Sequence, residues 1–378
     1  MTDSQHGGST AMDADVLIVG GGLAGLAVAN YLARFDYEPT IVEQRAEWDR
    51  SGYGIGLWAD GQAVLADLDL LSSVREVATD PRAVAVHASD EKVLTRMSIP
   101  RGQSLLLAVH RADLHATLHN HIPEAWLRMD TEPVRINETR GGVEVTFDDG
   151  STETFDVVVG ADGVHSTVRE QCFTDWTVRE RDTYIWSLWA HQDIKIGPDM
   201  VSVWGPGSEG FVARVGDRVG FNLAARHDTP VAGPARETLR DHAEAIGWKL
   251  PALLDGTDDE PFFDRVREVS CESWHTDRIV LIGDAAHAVH PISGMGASLA
   301  LQDARVLAQE LLTTDRSSSR KAFSRFEQRR RPDAKRVHRT ARVESTFTLL
   351  KSPVLRRARN GLTKRTPLFE WFLKRELR

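Results

Sequence analysis

Residues Asp15 to Glu43 constrain this chain more than any other stretch. They read D-V-L-I-V-G-G-G-L-A-G-L-A-V-A-N-Y-L-A-R-F-D-Y-E-P-T-I-V-E. The apolar run Val16 to Val19 predicts a buried strand, and Gly20, Gly22 and Gly25 follow at once in G-x-G-x-x-G spacing. Leu26, Ala29, Tyr31 and Leu32 then recur at helical spacing before the apolar pair Ile41-Val42 ends on Glu43. A strand, a glycine turn, a helix and a second strand closing on an acid form a βαβ unit. In such a unit Gly20 permits the tight turn, Gly22 lets the backbone approach a pyrophosphate, and Gly25 lets helix and strand pack closely. The helix start offers free N–H groups and the positive end of its dipole to phosphates. Glu43 stands where it can accept from a ribose, so the stretch reads as an adenine dinucleotide site.

The 378 residues suffice for a large core split into two domains. Hydrophobic residues at 41% and charged residues at 27% are ordinary for a soluble globular protein. No apolar run reaches the length of a membrane span. Residues 1–14 are polar and read as a disordered leader, not a signal peptide. Two cysteines, Cys172 and Cys271, without ligand spacing argue against a disulfide framework or a metal site and fit a reducing cytoplasm. Charge is uneven. Arg316 to Arg378 holds 20 Lys/Arg against 5 Asp/Glu, a balance of +15, which leaves −24 of the net −9 on the residues before it. The first reading of this tail is a solvated basic helix packed on the acidic body; the competing reading is contact with an anionic membrane. No nucleic-acid partner is expected, and oligomeric state is not legible.

Further along, Gly52, Gly54 and Gly56 predict backbone lying close to a ligand or another strand. Asp60 to Leu71 reads as an amphipathic helix, and Ala83 to His87 and Leu105 to Val109 as short strands. Arg111 sits at a strand-to-helix transition. Val143 to Phe147 and Phe155 to Val159 flank Asp148-Asp149-Gly150, a hairpin signal, and the second run leads into G-A-D-G-V-H-S-T-V-R, Gly160 to Arg169. Residues ~180–225 are rich in strand signals and rings, among them Tyr184, Trp186, Trp204, Phe211 and Phe221. They predict a sheet able to present flat apolar rings to a substrate. Arg278 to Gly283 is a strand feeding D-A-A-H-A-V-H-P-I-S-G-M-G, Asp284 to Gly296, followed by a helix over Ala297 to Leu312. No second nucleotide-binding βαβ unit occurs.

Three strand-to-helix turns, Gly20–Gly25, Gly160–Gly163 and Gly283–Gly296, therefore lie at strand carboxyl ends, where α/β sheets bind ligands. In this order, with Pro291 and with F-E-Q-R-R-R-P at Phe326 to Pro332 read as a helix start, the chain resembles the group A flavoprotein monooxygenases, the p-hydroxybenzoate hydroxylase-like family. The resemblance spans essentially the whole chain. It implies an α/β fold: a Rossmann-like FAD-binding domain with a parallel sheet, an inserted β-sheet substrate domain and a helical C-terminus. The implied boundaries are 15–72, 106–178 and 265–315 for FAD, 73–105 and 179–264 for the substrate sheet, and 316–378 for basic helices.

The same resemblance implies FAD as cofactor and NADH or NADPH as electron donor. The reaction implied is hydroxylation or epoxidation of a small aromatic or polycyclic substrate with O2, through oxygen addition at the flavin C4a atom. Cofactor-binding positions carried over are Gly20, Gly22, Ala24, Gly25, Glu43, Gln44, Arg45, Arg111, Asp162, Gly163, Asp284, Pro291, Gly294, Gly296 and Ala297. Glu43 would hold the adenosine ribose, Arg45 would lie near the adenine, Arg111 near the pyrophosphate or ribityl region, and Asp284 on the ribityl chain. Pro291 and the Gly296-Ala297 backbone would face the isoalloxazine ring. Two glycines before a helix also leave donors aimed at any negative charge there, whatever the family. His287 reads as structural within G-D-A-A-H; His290, beside Pro291, is the better candidate to touch flavin or substrate. Asp36 and Asp69 stand where such folds commonly carry glycine. A flavin-dependent reductase of the isoprenoid saturase type, a halogenase and a non-catalytic flavoprotein are the rival readings. The spacing of Trp186-Ser-Leu-Trp189 does not match the halogenase W-x-W-x-I-P motif.

Overall fold

Val16–Val19 is buried along its whole length, as a central parallel strand must be. The computed structural model, which describes residues 14–48, 52–100, 104–190, 195–197, 199–313 and 319–366, places it in the middle of a five-stranded sheet. The order is Ile279–Leu281, Val157–Gly160, Val16–Val19, Thr40–Glu43, Leu127–Met129, all parallel. Residues 1–13 of the expected leader and residues 367–378 lie outside the described residues. The helix Leu23–Ala33 is apolar almost all round and buried from Ala24 to Leu32. That fits its position between the sheet and the helix Gly296–Leu312.

The second large element is a seven-stranded sheet in the order Phe262–Cys271, Trp176–Ala190, Arg218–Arg226, Ser208–Val215, Met200–Trp204, Ala83–Ala88, Val93–Ser98. Only the Met200–Trp204 and Ala83–Ala88 pair is parallel. One face is covered by the helices Ala235–Ile246 and Leu250–Asp255. Leu239, Ala243 and Ile246, at helical spacing, pack with Leu250, Leu253 and Leu254 against Trp186, Val201, Val212 and Phe221. Gly54–Trp58 pairs antiparallel with Leu106–His110, so the glycine stretch there meets a strand.

Two sequence expectations change. The hairpin strand after Asp148-Asp149-Gly150 is Thr152–Phe155, paired with Val143–Phe147, while Val157–Gly160 leaves it for the parallel sheet. A single apolar run thus serves two sheets, which periodicity alone does not separate. The Arg-Arg-Pro segment does not start a helix: Pro332 lies inside the 30-residue helix Ser319–Thr348, at the cost of one backbone donor. Asp36 (φ 62°) and Asp69 (φ 60°) occupy the left-handed region, the conformation that makes glycine common at such helix ends. Both cysteines are free thiols, and among the described residues no helix is long and apolar enough to cross a membrane.

Candidate functional site

The carboxyl ends of three adjacent parallel strands carry the three turns, and direct contacts knit them together. Gly20 has φ +105°, and a Cβ there would stand 2.5 Å from the Ala161 carbonyl oxygen, so the first turn lies against the Asp162 turn. Gly25 has no room for a side chain either, because a Cβ would collide with the Gly20 carbonyl oxygen. Gly283 sits over Ala24, whose methyl would be 3.3 Å from a Cβ at that position. In contrast, a Cβ on Gly22, Gly163 or Gly296 would meet nothing within 4 Å. All three turns therefore leave backbone uncovered at the strand ends.

Glu43 binds the first turn itself: Gly21 N–H donates to Oε2 at 2.9 Å and Arg45 N–H to Oε1 at 3.1 Å. Gln44 and Arg45 are exposed beside it. On the other side His115 Nε2 bonds the Gly21 carbonyl at 2.8 Å, and the half-buried Trp48 stands over Gly21 with its ring centroid 4.6 Å from that of His115. A carbonyl can only accept, so Nε2–H is the donor, and burial lowers the His115 pKa. Neither Trp48 nor His115 carried a motif signal in the sequence.

At the second turn Val168 N–H donates to Asp162 Oδ2 at 3.1 Å, while Oδ1 is buried without a partner. Burial raises this carboxyl above its ordinary range. Arg169, fully buried, donates to the carbonyls of Val164 at 2.7 Å and Ala285 at 3.0 Å, and its guanidinium lies 4.9 Å from the Trp176 ring. It staples the second turn to the third. The only signal for it in the sequence was its place at the end of G-A-D-G-V-H-S-T-V-R.

Asp284, which follows Gly283 in the third turn, is exposed, with protein packed around its carboxyl at longer range. The surrounding protein pushes its carboxyl upward against the pull of His287 and Arg111. His287 is buried. Its Nε2 bonds Asp303 Oδ2 at 2.6 Å, and the same oxygen accepts from Gly283 N–H at 2.9 Å. Asp303 Oδ1 accepts from Arg330 Nε at 2.8 Å. His287 and Arg330 outweigh the burial of Asp303 and hold its pKa at about 2. The arginines of F-E-Q-R-R-R-P thus serve the third turn from behind. Asp303 had a signal that went unread: an acid in the apolar stripe Leu299, Asp303, Leu307 of a buried helix.

His290 caps the short turn Pro291–Ser293 by accepting from Ile292 N–H at 3.3 Å. Its Nε2 is buried without a partner, and burial lowers its pKa to about 4, so the ring is neutral at neutral pH. Pro291 and Gly294 are exposed, and Gly296 and Ala297 are half-buried at the start of the 17-residue helix. Trp58 fixes this loop: its backbone N–H donates to Ser298 Oγ at 3.0 Å and its Nε1–H donates to the Gly294 carbonyl at 3.2 Å.

Strand register sorts the aromatic candidates by face. Trp189 pairs with Gly220, Ser187 with Asn222, Asn222 with Phe211, and Phe211 with Ser202, so these side chains share one face. Tyr184, Trp186 and Phe221 belong to the other face and pack under the two covering helices. They are core. Phe211 and Trp189 instead join the cluster of Trp58, Leu106, Val289 and Met295 around the third turn. The Trp189 Nε1–H donates to the Gly52 carbonyl at 2.5 Å, and Ser187 Oγ bonds Asn222 Oδ1 at 2.6 Å. Trp204 is covered by Phe347 and by the Arg359 guanidinium, 4.7 Å from its ring. Of the five rings singled out, Phe211 alone lies both on this face and against the third turn; Trp189, Ser187 and Asn222 join it from outside that selection.

The residues present fit FAD. Three turns with open backbone at adjacent strand ends and an orphaned carboxylate oxygen on Asp162 make a polar cradle. Among the described residues no cluster could hold a metal ion.

The sequence of residues 13–341 matches the family model described as FAD binding domain. The chain is 31% identical over 306 residues to the 2-heptyl-3-hydroxy-4(1H)-quinolone synthase of Pseudomonas aeruginosa (strain UCBPP-PA14), covering 78% of this chain and 80% of that one. It is 31% identical over 353 residues to the 3-amino-4-hydroxybenzoate 2-monooxygenase PtnB3 of Streptomyces platensis, covering 86% of each. Klebsiella pneumoniae HpxO, solved with FAD and uric acid, shares the fold with a TM-score of 0.85 at 23% identity, covering 99% of both chains.

Proposed function

Since the chain belongs to the FAD-binding-domain family and is an FAD-dependent monooxygenase of the group A flavoprotein class, we propose that it hydroxylates a small aromatic substrate. NAD(P)H supplies two electrons; one atom of O2 enters the substrate and the other leaves as water. The reading rests on one observation: the third turn, with its open backbone at Gly296, stands against a sheet face that presents Phe211, Trp189, Ser187 and Asn222. By their names, one of the relatives above makes a quinolone and the other acts on an aminohydroxybenzoate, both flat nitrogen-bearing aromatics.

Bound FAD supplies the redox chemistry, accepting hydride from NAD(P)H and activating O2. The chain binds and orients it. In this reading the Gly22 amide and the start of helix Leu23–Ala33 receive the pyrophosphate, and Glu43 holds the ribose with the lone pairs that Gly21 and Arg45 leave over. In the same reading Arg111 and Asp284 bind the cofactor between the pyrophosphate and the ribityl chain. The amides of Gly296 and Ala297 aim the positive end of a long helix at the flavin pyrimidine, which favours negative charge there. Trp58, Met295 and Trp189 keep water from the reacting centre. Phe211 stacks the substrate, Ser187 and Asn222 orient its polar edge, and neutral His290 contributes a donor.

The test is oxygen uptake by the FAD-loaded protein with NADH and NADPH across a panel of aminophenols, hydroxybenzoates and quinolones. Uptake that needs both donor and aromatic, with a product heavier by one oxygen atom, is the expected result. NAD(P)H oxidation that no aromatic accelerates, with all O2 recovered as hydrogen peroxide, overturns it.

A further inference from the structure

The C-terminal helix Pro353–Arg365 is amphipathic the wrong way round. Its polar side is buried: Arg359 and Thr363 are each 3% exposed. Arg359 donates to the carbonyls of Phe347 and Thr348, lies over Trp204 and feels the charge of the enclosed Glu209, so this face is turned into the protein. The apolar side faces outward. Val354 is 71%, Leu355 54% and Leu362 45% exposed, and Ala358 is exposed with them. Spacing of i, i+1, i+4 and i+8 puts the four within an arc of roughly 100°. Exposed Arg357 and Lys364 border one edge of the stripe, and Arg365 lies at its C-terminal end. None of these three cations has an acidic partner among the described residues, and the sequence carries no Asp or Glu from Ser345 to Phe369. The helix packs on the edge strand Val93–Ser98, where Val93 is 49% exposed.

We propose that this helix docks the protein on an anionic lipid surface, lying flat with Val354, Leu355, Ala358 and Leu362 among the acyl chains and Arg357, Lys364 and Arg365 at the headgroups. An interfacial helix needs this combination of an outward apolar stripe and flanking cations. The other coverings fit the charge less well. A two-fold contact of the face with itself brings the same unpartnered cations together with no acid between them. The sequence after Thr366, P-L-F-E-W-F-L-K-R-E-L-R, carries a net +1 and neutralises nothing. The inference is independent of which substrate the enzyme takes.

The experiment is co-sedimentation of the flavin-loaded full chain with vesicles of phosphatidylcholine alone and of phosphatidylcholine mixed with phosphatidylglycerol. Binding to the anionic vesicles only, weakening with salt, is expected. Changing Arg357, Lys364 and Arg365 together to Gln should reduce partitioning by about a hundredfold, roughly fivefold per charge. A Leu355→Glu/Leu362→Glu variant should abolish it while retaining flavin and thermal stability, since both side chains are exposed. Absence of binding to anionic vesicles overturns the proposal. So does a concentration-dependent dimer that Leu355→Glu dissolves, which assigns the face to a second copy. Binding that survives both variants and disappears only when residues 367–378 are removed also overturns it, because the tail then carries the contact.

Discussion

The glycine turns and the seven-stranded sheet build their halves of the site from different materials. The turns work through backbone: Gly22, Gly163 and Gly296 present amides because no side chain stands in the way. In the site proposed above the sheet works through side chains, and only the face that carries Phe211 takes part. A backbone site is written into sequence as glycines at fixed spacing. A side-chain site on a strand is written as alternation, which is the same pattern whichever face is inward.

The largest effect expected lies behind the turns. Asp303→Ala leaves His287, Arg330 and the Gly283 N–H without their common partner and should cost about 3–5 kcal/mol in denaturant unfolding. If the turns were held by glycine geometry alone, the loss would be far smaller. The pH dependence has a definite sign. The Asp303 carboxyl is held at about 2 against an ordinary 3.8, so its contribution is complete above the ordinary value and is lost as pH falls toward 2.

The two sheet faces separate next. Trp186→Ala removes a fully buried ring from the helix-covered face and should cost about 3–5 kcal/mol of stability while KM for the aromatic stays unchanged in the folded fraction. Phe211→Ala should do the reverse, raising KM about tenfold with little change in melting temperature. A KM effect from Trp186→Ala without a stability loss would invert the assignment of faces.

Gly22→Val tests the backbone half. A Cβ there touches no protein atom, so the fold should survive, while FAD affinity should drop by at least a hundredfold, about 2.8 kcal/mol. Full flavin retention in that variant would place the pyrophosphate elsewhere. The smallest effect belongs to Asp69→Gly, which relieves a left-handed residue and loses only an exposed ion pair to Arg34. A gain of about 0.5–1 kcal/mol by thermal unfolding is expected, without kinetic change.

By itself the sequence determined the βαβ unit from Asp15 to Glu43, the order of the three turns and the family. All of these depend on local spacing: a strand, a glycine and a helix start lie within a few residues of one another. It also determined that Tyr184, Trp186, Phe211 and Phe221 lie in strands. Only the tertiary structure decided that Phe211 faces the third turn while the other three are core, because strand register and the position of the covering helices are long-range facts. The same holds for Arg169 reaching Ala285 and for Arg330 reaching Asp303: each contact joins residues far apart in the chain. Pro332 shows the limit of local signals. Proline favours helix starts on average, yet packing against the core holds a 30-residue helix together through the one backbone bond that Pro332 removes.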